Sequence, residues 1–265
     1  MAEVVDILMG WKAAVVLSWL ALFFLMERLN PRADAPAEDP AHGPLGRWSR
    51  VARNLLLWGL NTGLSPLIVI PLTFAAAEQG LHWRPEWWAG WWTVALDVVL
   101  LDLWIYWWHR ANHNLAFLWR FHEVHHLDQF LDSTSAVRFH FGEVVLSSLV
   151  RAAVIVALGM PVLSVVVFES VVLLAAIFHH SNVALPPRVE TALSRLIITP
   201  GIHWVHHHAI RADTDSNYGT IFSFWDRLFG SRSRTRRWAS MPIGVEGRRE
   251  RGVVRLLLRP FRFGG

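Results

Sequence analysis

Eleven of the fourteen histidines in this chain fall into four tight groups. His109 and His113 form an HxxxH, and His122, His125 and His126 an HxxHH. His179 and His180 are adjacent, and His203, His206, His207 and His208 form a second HxxHH with one added histidine. Neutral imidazole is the commonest metal ligand among side chains. Residues i and i+4 of a helix share a face, so His109 and His113 can aim two rings at one ion. Each HxxHH likewise places its i, i+3 and i+4 rings on one side. A single ion takes about four to six ligands, so eight or more histidines imply two. An all-imidazole shell suits Zn, Cu, Fe or Ni. A structural zinc needs fewer ligands, whereas two irons that activate dioxygen would use the whole set. Isolated histidines are more often satisfied surface or core residues, and His42 and His82 read that way.

The elements that must position these rings are apolar. Hydrophobic residues make up 53% of the chain and charged residues 17%, well below the charge content of ordinary soluble domains. There are sixteen Trp, clustered near the ends of apolar runs, as in the aromatic belt of a membrane protein. Cysteine is absent, which excludes disulfides, thiolate zinc sites and iron–sulfur clusters. Any metal is held by nitrogen and oxygen. All but one of the 25 basic residues are arginine, and they follow membrane topology rather than tracing a groove, which argues against nucleic acid as a partner.

A bilayer-spanning helix needs about 20 apolar residues. Val4 to Met26 meets that length. Leu55 to Ala77 is a second span, broken by Gly63, Pro66 and Pro71, and Trp87 to Trp108 a third, carrying Asp97 and Asp102. Val144 to Met160 and Val162 to Phe178 read as a tight helical hairpin joined at Gly159-Met160-Pro161, short enough to be re-entrant. The expected fold is an all-α integral membrane protein of four to five membrane helices, three long spans plus the hairpin, under a cytoplasmic helical cap that holds the histidines. The expected division is 1–86 for the N-terminal spans and linker, 87–230 for a catalytic domain and 231–265 for a basic cytoplasmic tail. Arginine-rich loops stay in the cytoplasm. Following the spans from the loop with Arg28, Arg32, Arg47, Arg50 and Arg53, every histidine group arrives on that same side.

Acidic residues inside a span are costly and are functional candidates. Asp102 lies two helical turns before His109 on about the same face, so it is expected to support that ring from behind.

The segments WWHRANH, FHEVHH, FHHSN and HWVHHH, followed by TDSNYG and FWDRLFG, resemble the fatty acid hydroxylase/sterol desaturase superfamily of integral-membrane di-iron oxygenases. The resemblance covers roughly Ala95 to Gly230. It implies that His109, His113, His122, His125, His126, His203, His206 and His207 form an eight-histidine core binding two Fe ions. It makes His180 a ninth ligand and places His179 and His208 outside the ligand set. His140 falls near the site, although Phe141 stands where many relatives have Pro. Asp215, Asn217 and Tyr218 suit roles that fix imidazole tautomers. The implied activity is hydroxylation or desaturation of an unactivated C–H position of a lipid, using dioxygen and electrons from a separate donor protein. The arginine-rich, alanine-rich composition points to a bacterial inner membrane, with the histidines and C-terminus in the cytoplasm.

Two other readings compete. A membrane metal transporter or storage protein would line its spans with acidic or histidine residues as a path, whereas here the histidines stop at the membrane surface. A lipid-binding scaffold with dead metal ligands would not keep the whole histidine set.

Overall fold

The computed structural model describes residues 2–35, 46–249 and 252–261. Much of the linker expected after the first span, with His42, lies outside them. In chain order the helices are α1 (Ala2–Leu29), α2 (Gly46–Leu64), α3 (Val69–Glu78), α4 (Trp92–Asn114), α5 (Ala116–His126), a 3-10 turn (Ser133–Val137), α6 (Phe141–Leu158), α7 (Val162–His180), α8 (Pro187–Leu193), α9 (Pro200–His206), α10 (Arg211–Thr214), α11 (Phe224–Leu228) and α12 (Val253–Leu258). Among the described residues there are no strands, only three isolated bridges. The protein is all-α.

Three helices are long and apolar enough to cross a membrane: α1, α6 and α7. The α2–α3 pair makes up to four, bent by 46°. The bend falls at residues 65–68, where Pro66 removes a backbone donor. Pro71 sits in the first turn of α3, where its missing N–H is not needed. The expected third span is shifted. Gly90 adopts φ +97°, so Trp87 to Trp91 forms a turn and α4 begins at Trp92. Its two aspartates and polar C-terminal end keep α4 out of the set that passes on hydropathy.

The α6–α7 hairpin closes where the sequence placed it. Gly159 caps α6 in the left-handed region at φ +57°, and a Cβ there would meet the Leu81 carbonyl oxygen at 2.3 Å. Pro161 then starts α7. Helix α7 is the hub, packing against α1, α4, α9 and the 3-10 turn. Val16, Leu20 and Phe23 of α1 bury against Ala176, Ile177 and Ala136. The C-terminal end of α1 is pinned by buried Glu27, which accepts hydrogen bonds from the Ser133 N–H and hydroxyl and from the Asn182 N–H, all at 2.8–2.9 Å. Leu17, Leu22, Leu25 and Leu29 of the same helix face outward, as a lipid-facing surface requires.

Between α5 and α6 the chain is held by ions rather than by apolar packing. Asp128 is fully buried and accepts from Arg50, Asn54 and Ser135. Burial alone would raise its carboxyl, but the Arg50 and Arg138 guanidinium groups hold it below the usual range. Arg50 also pairs with Asp132, which caps the 3-10 turn through the Thr134 N–H. This network fixes the loop that follows the first HxxHH.

Candidate metal centre

Four helices deliver the histidines. α4 carries His109 and His113, α5 carries His122, His125 and His126, α7 ends in His179 and His180, and α9 carries His203 and His206, with His207 one residue beyond. Nine of these rings converge into two buried groups. His109, His113, His122, His126 and His206 form one, and His125, His180, His203 and His207 the other. Within each group the ligand nitrogens all lie within 4.8 Å of one another. Each HxxHH is divided between the groups in the opposite sense. The i, i+4 pair His122/His126 joins the five-histidine group while His125 joins the other; His203/His207 joins the four-histidine group while His206 crosses back. The sequence pattern, which put each triplet on one face, did not separate them.

Most of the rings are oriented by oxygen acceptors. The Nδ1–H groups donate as follows: His109 to the Tyr218 carbonyl (2.9 Å), His206 to the Ser216 carbonyl (2.6 Å), His125 to the Arg138 carbonyl (3.0 Å) and His180 to the Ala176 carbonyl (2.8 Å). His122 donates to the Glu143 carboxylate at 2.8 Å and His113 to Asp215 at 3.3 Å. A neutral imidazole has one N–H, so in each of these rings Nε2 is left as a lone pair. Burial holds His125, His126, His203, His206 and His207 well below the usual histidine range, so they are neutral.

These facts test whether metal ions fit. The Nε2 atoms of His125 and His180 face each other at 3.1 Å, yet both carry lone pairs and cannot hydrogen-bond. Further Nε2 pairs stand at 3.0 Å (His180/His203), 3.1 Å (His203/His207) and 3.2 Å (His122/His126). Imidazole nitrogens about 2.1 Å from one cation are separated by about such distances. The buried Nε2 atoms of His113 and His206 have no hydrogen-bond partner. A polar atom buried without a partner is costly, and a cation in the five-histidine group, to which both belong, removes that cost. The donor set fits two metal ions.

The other sequence candidates fall into place unequally. Asp215 reaches His113 and is itself gripped by Arg211. Tyr218 serves through its backbone carbonyl, and its ring packs on His109, His113 and His206. Burial raises its hydroxyl to about 12, so it stays protonated. Asn217 touches no histidine; it takes the left-handed conformation at φ 52° and bonds the Ser233 N–H and the Ile202 carbonyl, shaping the turn between Ser216 and Tyr218. Asp102 is a correction. It supports no histidine, but accepts from the Ile221 and Phe222 N–H groups and the Trp225 indole at 2.9–3.1 Å. Two turns of helix put it beside the chain after Tyr218 rather than behind His109. Asp97 likewise binds Arg84, Trp88 and Ser164. His140 caps α6, accepting from the Gly142 N–H and donating to the Leu257 carbonyl, and stands outside both groups. His208 pairs with Asp213. His179 packs against His203 with ring centroids 4.0 Å apart and the planes tilted by 46° but belongs to neither group.

Sequence reasoning missed Glu143 and Asp226. Glu143, in the first turn of α6, holds His122 and receives a 3.4 Å contact from Asn112; a carboxylate at the mouth of an apolar span was the available signal. Asp226 of FWDRLFG accepts from the Tyr218 and Gly219 N–H groups at 2.7 and 3.0 Å, and this turns the Tyr218 carbonyl toward His109. Gly219 is needed there because a Cβ would meet Ile198, the Phe222 carbonyl and Asp226, all within 2.9 Å.

A cavity of about 360 Å³ opens on this centre. His109, His122, His125, His180 and His203 line one end, and Ile105, Phe168, Val172 and Leu173 make an apolar wall.

An all-α bundle of apolar helices with two clustered imidazole groups above an apolar cavity defines the class of integral-membrane metalloprotein. The fatty acid hydroxylase family profile matches residues 94–231, and the chain belongs to that family. It is similar along 97% of its length to an ornithine lipid hydroxylase of Rhizobium tropici, with 27% identity, covering 77% of that protein. Over 57% of its length it is similar to the alkylglycerol monooxygenases of Danio rerio (30% identity) and Homo sapiens (29%), of which it spans about a third, 32% in each case. No solved structure matches the chain.

Proposed function

We propose that this chain is a membrane-bound di-iron oxygenase that inserts oxygen into an unactivated C–H bond of a lipid, using dioxygen and electrons from a separate donor protein. The observation that carries the reading is that nine buried imidazoles are divided into groups of five and four, and rings from both groups (His109, His122, His125, His180 and His203) face a cavity whose wall is largely apolar. His109, His113, His122, His126 and His206 would hold one iron, and His125, His180, His203 and His207 the other. Bound there, the two ions would supply dioxygen activation, which side chains alone cannot.

The protein's own part follows from its residues. The carbonyls of Tyr218, Ser216, Arg138 and Ala176 and the carboxylates of Glu143 and Asp215 hold the rings so that Nε2 points inward. Phe168, Val172 and Leu173 offer a lipid chain an apolar surface and keep water from it. The activities named for the relatives, hydroxylation of an ornithine lipid and monooxygenation of alkylglycerols, support a lipid substrate and favour hydroxylation over desaturation. The bacterial relative supports a bacterial membrane location, and the arginine-rich segments on the histidine side support a cytoplasmic face for the histidines.

Lipid mass spectrometry of a deletion strain against wild type tests this. Loss of species one oxygen heavier than an accumulating precursor is the expected result. An unchanged lipid profile, with metal flux into proteoliposomes, would replace the reading with metal transport.

A further inference from the structure

The cavity has a second polar end. Lys12 of α1, Arg151 of α6 and Glu169 of α7 also line it. The Glu169 carboxylate pairs with Lys12 Nζ at 2.9 Å and with Arg151 Nη2 at 2.8 Å. Lys12 is the only lysine in the chain. Two cations thus share one carboxylate, and the buried Arg151 Nε has no hydrogen-bond partner. The other acid on the cavity wall, Glu143, is engaged by His122 and lies eight residues before Arg151, about 12 Å along α6. This end of the cavity therefore carries a surplus positive charge inside three apolar helices. Charges within membrane spans are costly, and they mark ligand sites. A cation short of partners in a low-dielectric wall attracts an anion strongly.

We propose that Lys12, Glu169 and Arg151 form a subsite for an anionic group, carboxylate or phosphate, of an amphiphilic lipid whose chain runs along Ile105, Phe168 and Val172 toward the histidines. The proposal rests on the lipid-oxygenase reading and names what its substrate carries. Glu169 lies eleven residues before His180, about 16 Å along α7. The reacting carbon is then selected by its distance from the anionic group, not from the chain end.

Calorimetry on the full-length protein in neutral detergent, titrated with hexadecanoate, hexadecyl phosphate and hexadecanol, tests this. At least one anion is expected to bind about 10-fold tighter than the alcohol, the size of effect a charge-assisted hydrogen bond gives. The tighter of the two identifies the group. Lys12→Gln and Arg151→Gln should remove that advantage and leave hexadecanol binding in place, which also reports that the variants are folded. Glu169→Gln, which frees both cations, should keep or enlarge it. Equal binding of anions and alcohol by the unaltered protein, or a preference that survives both cation substitutions, overturns the subsite. Binding needs no turnover. An intact anion preference in a protein that never oxygenates a lipid would therefore overturn the oxygenase reading and leave the subsite standing.

Discussion

The rings of His126 and His207 lie nearly parallel, 18° apart, with centroids separated by 4.3 Å, although His126 belongs to the five-histidine group and His207 to the four-histidine group. The two groups therefore touch, and α5 and α9 are each shared between them. A ring lost from α5 or from the α9 segment therefore disturbs an element that serves both groups. In both rings Nδ1 is buried without a hydrogen-bond partner, so no oxygen acceptor orients them as it does most of the other rings.

Alanine at one ring of each group should accordingly disturb both. His125→Ala and His206→Ala are expected to lower bound iron from about two per chain to well below one, and to abolish oxygenation. Inductively coupled plasma analysis of purified protein checks this. A variant that loses a single ion and retains the other at full occupancy would contradict the coupling.

Glu143 should matter almost as much as a ligand. It fixes the His122 ring through Nδ1, and such outer partners change metal affinity by about 10–100-fold. Glu143→Gln is expected to weaken metal binding within that range in a chelator competition assay. Asp215→Asn should do less, because its contact is longer at 3.3 Å and its side chain is 32% exposed.

How much of this centre the sequence held depends on which atoms do the work. Eight of the nine clustered histidines were legible because metal ligation uses side chains at helical spacing, and His180 was marked by the family resemblance of FHHSN. Their division into two groups was not, since i, i+3 and i+4 span an arc wide enough to face two ions at once. The acceptors for His109, His206, His125 and His180 are backbone carbonyls, and no side-chain identity encodes those. Asp102 was misplaced because helical phase gives a direction but not the neighbour found there. The hairpin at Gly159 was readable from a turn glycine followed by proline. The start of α4 was not, because Trp87 to Trp91 is apolar enough for a span but turns at Gly90.

Asp102 gives a stability prediction in place of a catalytic one. Asp102→Ala would leave two backbone N–H groups and the Trp225 indole buried without an acceptor, at a cost of about 1–3 kcal/mol each. The melting temperature should fall clearly, and bound metal should fall with it, because the turn that aims the Tyr218 carbonyl leads directly into the segment this anchor holds. Normal stability with reduced activity would instead indicate a direct role in the chemistry.

Metal removal should make the protein acid-sensitive. An unfolded histidine titrates near 6.5, whereas burial keeps His125, His126, His203, His206 and His207 neutral well below that value. Below about pH 6.5 the unfolded chain binds more protons than the folded one, so stability falls as pH falls. Metal-free protein is expected to melt at lower temperature at about pH 5.5 than at about pH 7.5, and loaded protein to release metal over the same interval. A metal-free melting temperature that rises on acidification would contradict neutral burial of these rings.

The proposed orientation can be mapped directly, because the chain has no cysteine of its own. Ser240 and Gln79 are both exposed. Ser240 lies in the arginine-rich C-terminal region, on the histidine side of the chain; Gln79 follows α3, at the far end of the bent pair. If arginine-rich segments stay inside, a cysteine at Ser240 faces the cytoplasm and one at Gln79 faces outward. In intact spheroplasts a membrane-impermeant maleimide should label Gln79→Cys and spare Ser240→Cys, and in inverted vesicles the pattern should reverse. Labelling of both from one side would mean that the α2–α3 pair is re-entrant. Labelling of Ser240→Cys alone in spheroplasts would put the histidines on the outer face, away from cytoplasmic electron donors, and the proposed source of reducing power would fail with it.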